Sequence, residues 1–524
     1  MKKIVDKVLS PQAFAIGYLP WLAIYMVTLI NVLDITRVVL GIYAVWAFAI
    51  CVRTYFFSGK SAWTHKGMAV LLFFLAACLF TQVLQFSYGG FDMIAKLCYF
   101  ALCLLVLYAQ HGVDLDGYFR MLRVLVVVLG IVIGLQMLVS NWMFLEMFSA
   151  TVTMRSGVTA RVGFADNRLF GVFTSPNVGG LFALILIWCS VLLIYWSKDM
   201  RAKWVLRIMA AVQIAAALMY ISVALSRGTY VSGAVFVASW MLLRMPGVKE
   251  KTLAVWKQTA IRVVSAVAAL VVCVPVMGTI NEVSCALLEW NYERKTAAVE
   301  TEPATPAAIA VVNTPLRLSA DVASVSFSVG NRAAGSVVED SIAQQIINNA
   351  HLGLDDRLDV DKEDISNNRF TIWRVHLSLL HGKHYVIGIN FPPAFLKASQ
   401  AAGIEFTSEQ IGFVEYAGGN IHNGYLQMLI YGGLLVLVPM MVFLLWCAFR
   451  AVRYFGGALF TRRFAMDTRA YALFSVTLPM VLTILSNNIF ETNFVLMGAS
   501  FIQAFFWLTA GACVQSIHEG VTQQ

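Results

Sequence analysis

Residues 421–448 read IHNGYLQMLIYGGLLVLVPMMVFLLWCA, a short polar opening followed by a long apolar run. The run from Tyr425 to Ala448 contains no charged residue and is long enough to cross a bilayer as a helix. His422 stands at its start, so this stretch places a side chain that exchanges protons near neutral pH where water meets lipid. Apolar runs of the same kind recur along the chain, and this recurrence indicates the fold.

The composition is that of a membrane protein. Hydrophobic residues make up 59% of the chain and charged residues only 13%, whereas soluble domains are about one quarter charged. The mean hydropathy is +0.74. We therefore expect an all-α, polytopic integral membrane protein with about twelve transmembrane helices. The predicted spans are 13–33, 38–56, 68–86, 93–110, 121–140, 177–196, 208–225, 229–243, 263–281, 425–448, 470–487 and 494–513.

The formal net charge of +9 reflects membrane topology and does not indicate a nucleic-acid partner. More than half of the 38 lysines and arginines lie in alternate loops between the predicted spans, and they do not cluster on one soluble face. The positive-inside rule assigns those loops to the cytoplasm. Both termini are then cytoplasmic, and the intervening loops, including the longest one, face outward.

The spans divide the chain into three regions. Residues 1–281 form an N-terminal transmembrane bundle of about nine spans, 282–424 form one large extracytoplasmic loop, and 425–524 contain about three further spans. Within the loop, Ala297–Pro315 is rich in Ala, Thr, Val and Pro, which is typical of a flexible insert.

A later part of the loop has the pattern of an amphipathic helix. Phe370, Trp373, Leu377 and Leu380 recur at helical spacing, so this helix is predicted to lie on the membrane or to cap the bundle.

Two arginines, Arg168 and Arg227, stand on the outer side within a few residues of a span, against the positive-inside rule. The planar guanidinium group of arginine pairs well with phosphate oxygens, so both residues are candidates for binding a diphosphate. The alternative is that each one snorkels to the lipid headgroups. Arg369 and Arg374 are less informative, since an amphipathic helix often carries arginine on its polar face.

His422 is a candidate base that takes a proton from an attacking hydroxyl. The alternative is a structural histidine that caps the span. The outer acids Asp166, Glu415 and Glu491 are each able to orient the histidine or bind a sugar, and the sequence does not choose among them.

Metal and redox chemistry have no sequence signature. Neither a CxxC pair nor an HExxH motif occurs, and one outer cysteine, Cys285, cannot build a disulfide framework. His376, His381 and His384 cluster on the loop without a matching acid or cysteine, so we predict surface residues there. We expect no metal and no cofactor.

Four motifs occur in order: RLFGVFTSPN (168–177), SRG (226–228), NRFTIWR with IGI (368–374 and 387–389), and HNGYLQ with GGL (422–427 and 432–434). Together they resemble motifs of the bacterial O-antigen ligase and polymerase superfamily over residues 165–450. The chain departs from that pattern at Asn390 and Val436, where the family has glycine.

The resemblance implies a metal-independent glycosyltransferase of the bacterial cytoplasmic (inner) membrane, with its active site facing the periplasm. Its donor would be a glycan on a polyprenyl diphosphate, usually undecaprenyl diphosphate. Its acceptor would be a glycan or glycolipid, such as the lipid A–core of lipopolysaccharide. The resemblance further implies that His422 is the catalytic base and that Arg168, Arg227 and Arg369 bind and stabilise the diphosphate.

Other candidate substrate-binding residues are Arg374, Trp373, Asn423 and Glu491. We favour the ligase type, because the single long outer loop precedes His422, over a surface-polysaccharide polymerase with the same chemistry. The alternatives from other classes are a polysaccharide or lipid flippase and a membrane scaffold without chemistry. A flippase would carry charges or broken helices near the bilayer midplane, whereas the polar residues here collect at the outer ends.

Overall fold

The computed structural model describes residues 6–31, 35–57, 67–153, 159–165, 168–199, 202–245, 253–301, 325–328, 369–378, 380, 382–389, 407, 421–460, 466, 468–492 and 500–522. Most of the predicted flexible insert, Ala297–Pro315, lies outside these residues, as do Asp166, His381 and Glu415.

The described chain is mainly helical. Its helices are α1 (Pro11–Tyr25), α2 (Thr28–Asn31), α3 (Ile35–Phe57), α4 (Met68–Leu84), α5 (Phe86–Ala109), α6 (Leu115–Leu145), α7 (Pro176–Trp196), α8 (Lys203–Ala224), α9 (Arg227–Leu243), α10 (Val255–Thr301), α11 (Arg369–Ser378), α12 (His384–Ile387), α13 (Gly424–Leu459), α14 (Arg469–Asn487) and α15 (Phe501–Thr522). Four short strands are β1 (Ser149–Thr153), β2 (Thr159–Ala165), β3 (Arg168–Gly171) and β4 (Val325–Ser328).

Seven of the described helices contain segments that are long and apolar enough to cross a membrane. These segments are Val38–Phe56, Leu115–Leu145, Pro176–Trp196, Lys203–Ala224, Val255–Asn291, Gly424–Leu459 and Arg469–Asn487. Two shorter apolar segments, Met68–Leu84 and Met93–Ala109, accompany them. The expectation of a helical, polytopic membrane protein is therefore confirmed. Helices satisfy their own backbone groups, which a bilayer core requires because it offers no water.

Polar residues set the starts of several helices. Ser175, Ser226 and Asn423 cap α7, α9 and α13, each accepting a hydrogen bond from a backbone N–H of the first turn. These caps satisfy donors that have no partner within the helix. The helices therefore begin where an apolar run follows a short polar side chain.

Helix α7 lies at the centre of the bundle, and α10 lies at its edge. In α7, 72% of the apolar segment is buried within the protein, against 6% for α10. Helix α10 also runs past the predicted domain boundary at residue 281 to Thr301. At 47 residues it is about 70 Å long, more than twice the roughly 30 Å of a bilayer core.

A small antiparallel sheet, which the all-α prediction missed, covers one end of the bundle. The strand order is β3-β2-β1-β4, and Ser149 pairs with both Gly163 and Ser328. Strand β4 comes from far along the chain, so no local pattern reveals the pairing. The sheet matters for the site because Arg168 is the first residue of β3, where it pairs with Ala165.

Helix α13 is broken near its start, and α12 packs into the break. Gly433 has φ 62° and ψ −164°, outside the helical region. The N–H of Ile389, just after α12, donates to the Ile430 carbonyl at 2.7 Å. A Cβ on Gly388 would overlap the Tyr431 backbone, and one on Gly433 would overlap the Val386 backbone. The two glycines thus allow a loop segment to enter the bundle beside α13.

Helix α11 forms as predicted, but only part of the predicted apolar stripe packs against the protein. The buried side chains are Ile372, Val375 and His376, whereas Phe370 is 61% exposed and Leu377 is 37% exposed. Of the other two residues of the predicted stripe, Leu380 is fully buried and Trp373 packs against the same cluster. The prediction is therefore right for Trp373 and Leu380 and wrong for Phe370 and Leu377. The helix caps the bundle through contacts of Trp373, Val375 and the following Leu380 with the start of α13.

His376 is also not the surface residue that we predicted. It is buried, and its Nδ1 lies 2.7 Å from the Ile372 carbonyl oxygen. Burial lowers the pKa of His376, because a charged imidazole loses its hydration, and the contact with Ile372 opposes this effect. His376 is therefore part of the packing of α11.

Candidate functional site

Glu491, just after α14, is the centre of a polar cluster at one end of the bundle. Its Oε1 accepts hydrogen bonds from Arg369 Nη2 at 2.9 Å and from the Asn177 side-chain amide. Its Oε2 lies 3.4 Å from His422 Nδ1. The Glu491 side chain is only 7% exposed, so these contacts act where water screens charge weakly.

His422 occupies the turn immediately before α13. Its φ of +51° is uncommon for a residue other than glycine. Trp373 Nε1 donates to the Ile421 carbonyl at 2.8 Å, and Asn423 Oδ1 accepts from the N–H groups of Tyr425 and Leu426. The backbone on both sides of His422 is therefore held, while its side chain is 31% exposed.

Helix α11 brings two predicted residues to this cluster and leaves a third outside it. Arg369 is the first residue of the helix, and its side chain is 18% exposed where it pairs with Glu491. Trp373, one turn later, fixes Ile421 beside the histidine. Arg374 lies on the exposed face of α11.

A second chain of contacts leads from Glu491 to the arginines near α9. Ser226, the N-cap of α9, donates to the side-chain oxygen of Asn177 and accepts from the Thr229 N–H at 3.2 Å. Arg168 Nη2 donates to the Leu225 carbonyl at 3.2 Å, next to Ser226. The site thus joins β3, α7, α9, α11, α13 and the end of α14.

Arg227 is the first residue of α9 and is half-buried. The next residue, Gly228, lies against Phe490: a Cβ on it would be 3.2 Å from the Phe490 Cβ. The start of α9 therefore lies directly beside the turn that carries Glu491. Asn423, predicted to bind substrate, uses its side-chain oxygen to cap α13.

The electrostatics of the cluster favour an anion. The N-termini of α7, α9 and α13 meet here, and each carries a partial positive charge from the helix dipole. Arg369 reaches the cluster at Glu491, and Arg168 donates to the Leu225 carbonyl beside the start of α9. This combination of helix N-termini and guanidinium groups is typical of sites for phosphate groups.

Sequence reasoning missed Asn177 and Ser226 as members of the site. Both lie inside motifs quoted above, and both stand at helix starts after a polar residue or a turn. Their position at helix starts was the one feature of the sequence that pointed to them, but a serine or asparagine there is usually only a helix cap. The contact with Glu491 is tertiary and has no counterpart in the local sequence.

In the part of the chain that the structure describes, no group of three or more His, Cys, Asp or Glu side chains is arranged to hold a metal ion. His384 lies on α12, where its Nδ1 is 3.0 Å from the Gly388 carbonyl oxygen. Of the three clustered histidines named above, the two that the structure describes, His376 and His384, thus each contact a backbone carbonyl.

The sequence was also compared with models of known protein families and with curated proteins. No family model matches it, and no curated protein matches it.

Proposed function

We propose that the protein is a membrane glycosyltransferase of the O-antigen ligase and polymerase type. It would move a glycan from a polyprenyl diphosphate to an acceptor hydroxyl on the outer face of the bacterial cytoplasmic membrane. The observation that supports this proposal most directly is the position of His422 and Arg369 on the two oxygens of Glu491. A candidate base and a candidate phosphate-binding cation thereby lie within reach of one substrate.

The reaction follows from these side chains. His422 takes the proton of the acceptor hydroxyl, and the hydroxyl oxygen attacks the anomeric carbon of the donor sugar. The bond from that carbon to the diphosphate oxygen breaks, and the electron pair leaves with the diphosphate. Arg369, Arg168 and Arg227 stabilise the charge that develops on this leaving group. Because a diphosphate leaves readily, one base and preformed cations suffice, and we propose that no metal takes part.

The proposal includes a topology. Twelve spans with both termini in the cytoplasm would put the N-termini of α7, α9 and α13 on the outer side, together with the large loop 282–424. A lipid-linked donor explains why the cluster lies at helix ends, since its diphosphate stands at the membrane surface while its chain stays in lipid.

The first test is the glycan profile of a strain that lacks the gene. Long polymer that accumulates on the lipid carrier, with none on the surface acceptor, would identify a ligase, whereas single repeat units would identify a polymerase. An unchanged profile would contradict both and would favour a flippase or a scaffold.

The second test is His422→Ala in the same strain. We expect transfer to fall about 10²–10⁴-fold, the usual contribution of general base catalysis, at normal membrane abundance. His518→Ala, near the far end of α15, is the matched control and should transfer glycan normally. Full activity of His422→Ala would overturn the base assignment.

A further inference from the structure

We infer that Glu491 is the positioning residue that sets the tautomer of His422, so that Nε2 is the ring nitrogen that takes the acceptor's proton. This inference rests on the proposed function for the reaction, although the tautomer itself is a property of the resting protein. The sequence offered three acids for this role, Asp166, Glu415 and Glu491, and Glu491 is the one that the structure places against the imidazole.

The contacts of the carboxylate divide between its two oxygens. Oε1 receives the N–H groups of Asn177 and Arg369, and Oε2 faces His422 Nδ1. A carboxylate only accepts hydrogen bonds, so the neutral imidazole must carry its proton on Nδ1 in order to donate to Oε2. The lone pair is then on Nε2, which becomes the site of proton transfer.

The neighbours of Glu491 restrict its own orientation. Asn177 is held in turn by Ser226, which donates to the Asn177 side-chain oxygen, so the amide nitrogen of Asn177 is the group that faces Glu491. The carboxylate is buried at the meeting point of α7, α11 and α13. A short chain of contacts from the start of α9 thus sets which nitrogen of His422 acts.

Glu491→Gln gives a sharp test because it changes one contact and can keep the other two. The new amide oxygen can still accept from Asn177 and Arg369. The amide NH2 then faces Nδ1 and can only donate, so the imidazole proton moves to Nε2. In a serine protease, the comparable Asp→Asn change traps the wrong tautomer and lowers kcat about 10⁴-fold.

The experiment uses the full chain in lipid nanodiscs, with lipid-linked glycan extracted from the deletion strain as donor. We expect Glu491→Gln to lower kcat at least about 100-fold and to change the donor KM by less than about threefold. Glu491→Asp keeps the charge and should recover part of the activity. Glu282→Gln, an exposed acid on α10, should behave as wild type.

A second readout needs no activity. In ¹⁵N NMR of histidine-labelled protein, the His422 signal is assigned by its loss in His422→Gln. It should show the proton on Nδ1 in wild type and on Nε2 in Glu491→Gln. The same tautomer in both proteins, or a kcat of Glu491→Gln within about threefold of wild type, would overturn the inference. A tautomer change between the two proteins, in a wild type that itself transfers no glycan, would instead overturn the proposed function and leave the positioning role standing.

Discussion

At the scale of residues, Arg369 and Arg374 belong to the same helix and have different surroundings. Arg369 is mostly buried and pairs with Glu491, whereas Arg374 is exposed. A guanidinium group in a poorly hydrated site acts on a developing charge far more strongly than one in water. We therefore expect Arg369→Gln to slow glycan transfer about 10²–10³-fold and Arg374→Gln to have an effect of less than about twofold.

The measurement is the initial rate of glycan transfer by each variant in nanodiscs at equal protein concentration, with Arg369→Lys as a further comparison. Lysine keeps the charge but lacks the planar fork, so it should recover only part of the rate. Equal losses in Arg369→Gln and Arg374→Gln would show that α11 contributes general positive charge and that the contact with Glu491 is not decisive.

At the scale of elements, the entry of α12 into the break of α13 fixes where α11 lies. Gly433 has a positive φ, and a Cβ there would overlap the Val386 backbone. Gly433→Ala should therefore destabilise the protein by about 1–3 kcal/mol and loosen α11 from the site. The measurement is the thermal unfolding midpoint in detergent, together with protease sensitivity of the 369–389 segment.

Gly456→Ala is the matched control, since Gly456 lies further along α13 and a Cβ there would make only an ordinary contact with Phe460. Alanine favours a helix by up to about 1 kcal/mol over glycine, so this variant should be as stable as wild type or more so. If Gly433→Ala were as stable as the wild type, the close contact between Gly433 and α12 would not be what holds α12 and α13 together.

At the scale of the whole molecule, the number of spans determines where the two ends of the chain lie. Twelve spans put both termini on the same side, whereas an odd number, such as the seven apolar segments given above alone, would put them on opposite sides. The basic loops predict that this shared side is the cytoplasm. A fluorescent protein fused after Gln524 should then fold and fluoresce.

Alkaline phosphatase, which is active only in the periplasm, tests the outer side. Inserted at residue 310, within the predicted flexible insert, it should be active, and inserted in the basic loop at 248 it should be inactive. Activity at 248 together with none at 310 would invert the topology and would remove the outer-face site from the proposal.

Much of the helical layout was predictable from local sequence. Apolar runs such as 121–140 and 177–196 correspond to α6 and α7. A helix is the simplest structure that pairs all backbone N–H and C=O groups of a segment in a bilayer, where no water can hydrogen-bond to them. The longer α10 was predicted only in part, since its polar continuation after residue 281 lacks the apolar signal. The break in α13 was not predicted, because a glycine pair inside an apolar run is also compatible with an unbroken helix.

The sequence by itself determined the class of protein and the candidate residues Arg168, Arg227, Arg369 and His422. It did so because hydropathy and the placement of charge are local properties of the sequence, and they determine which segments enter the bilayer and in which orientation. Tertiary structure alone decided that Glu491 joins His422 to Arg369, that Asn177 and Ser226 complete the chain, and that Arg374 stays outside. These contacts link residues that are 49 to 314 positions apart in the chain, and only the packing of α7, α9, α11, α13 and α14 brings them together.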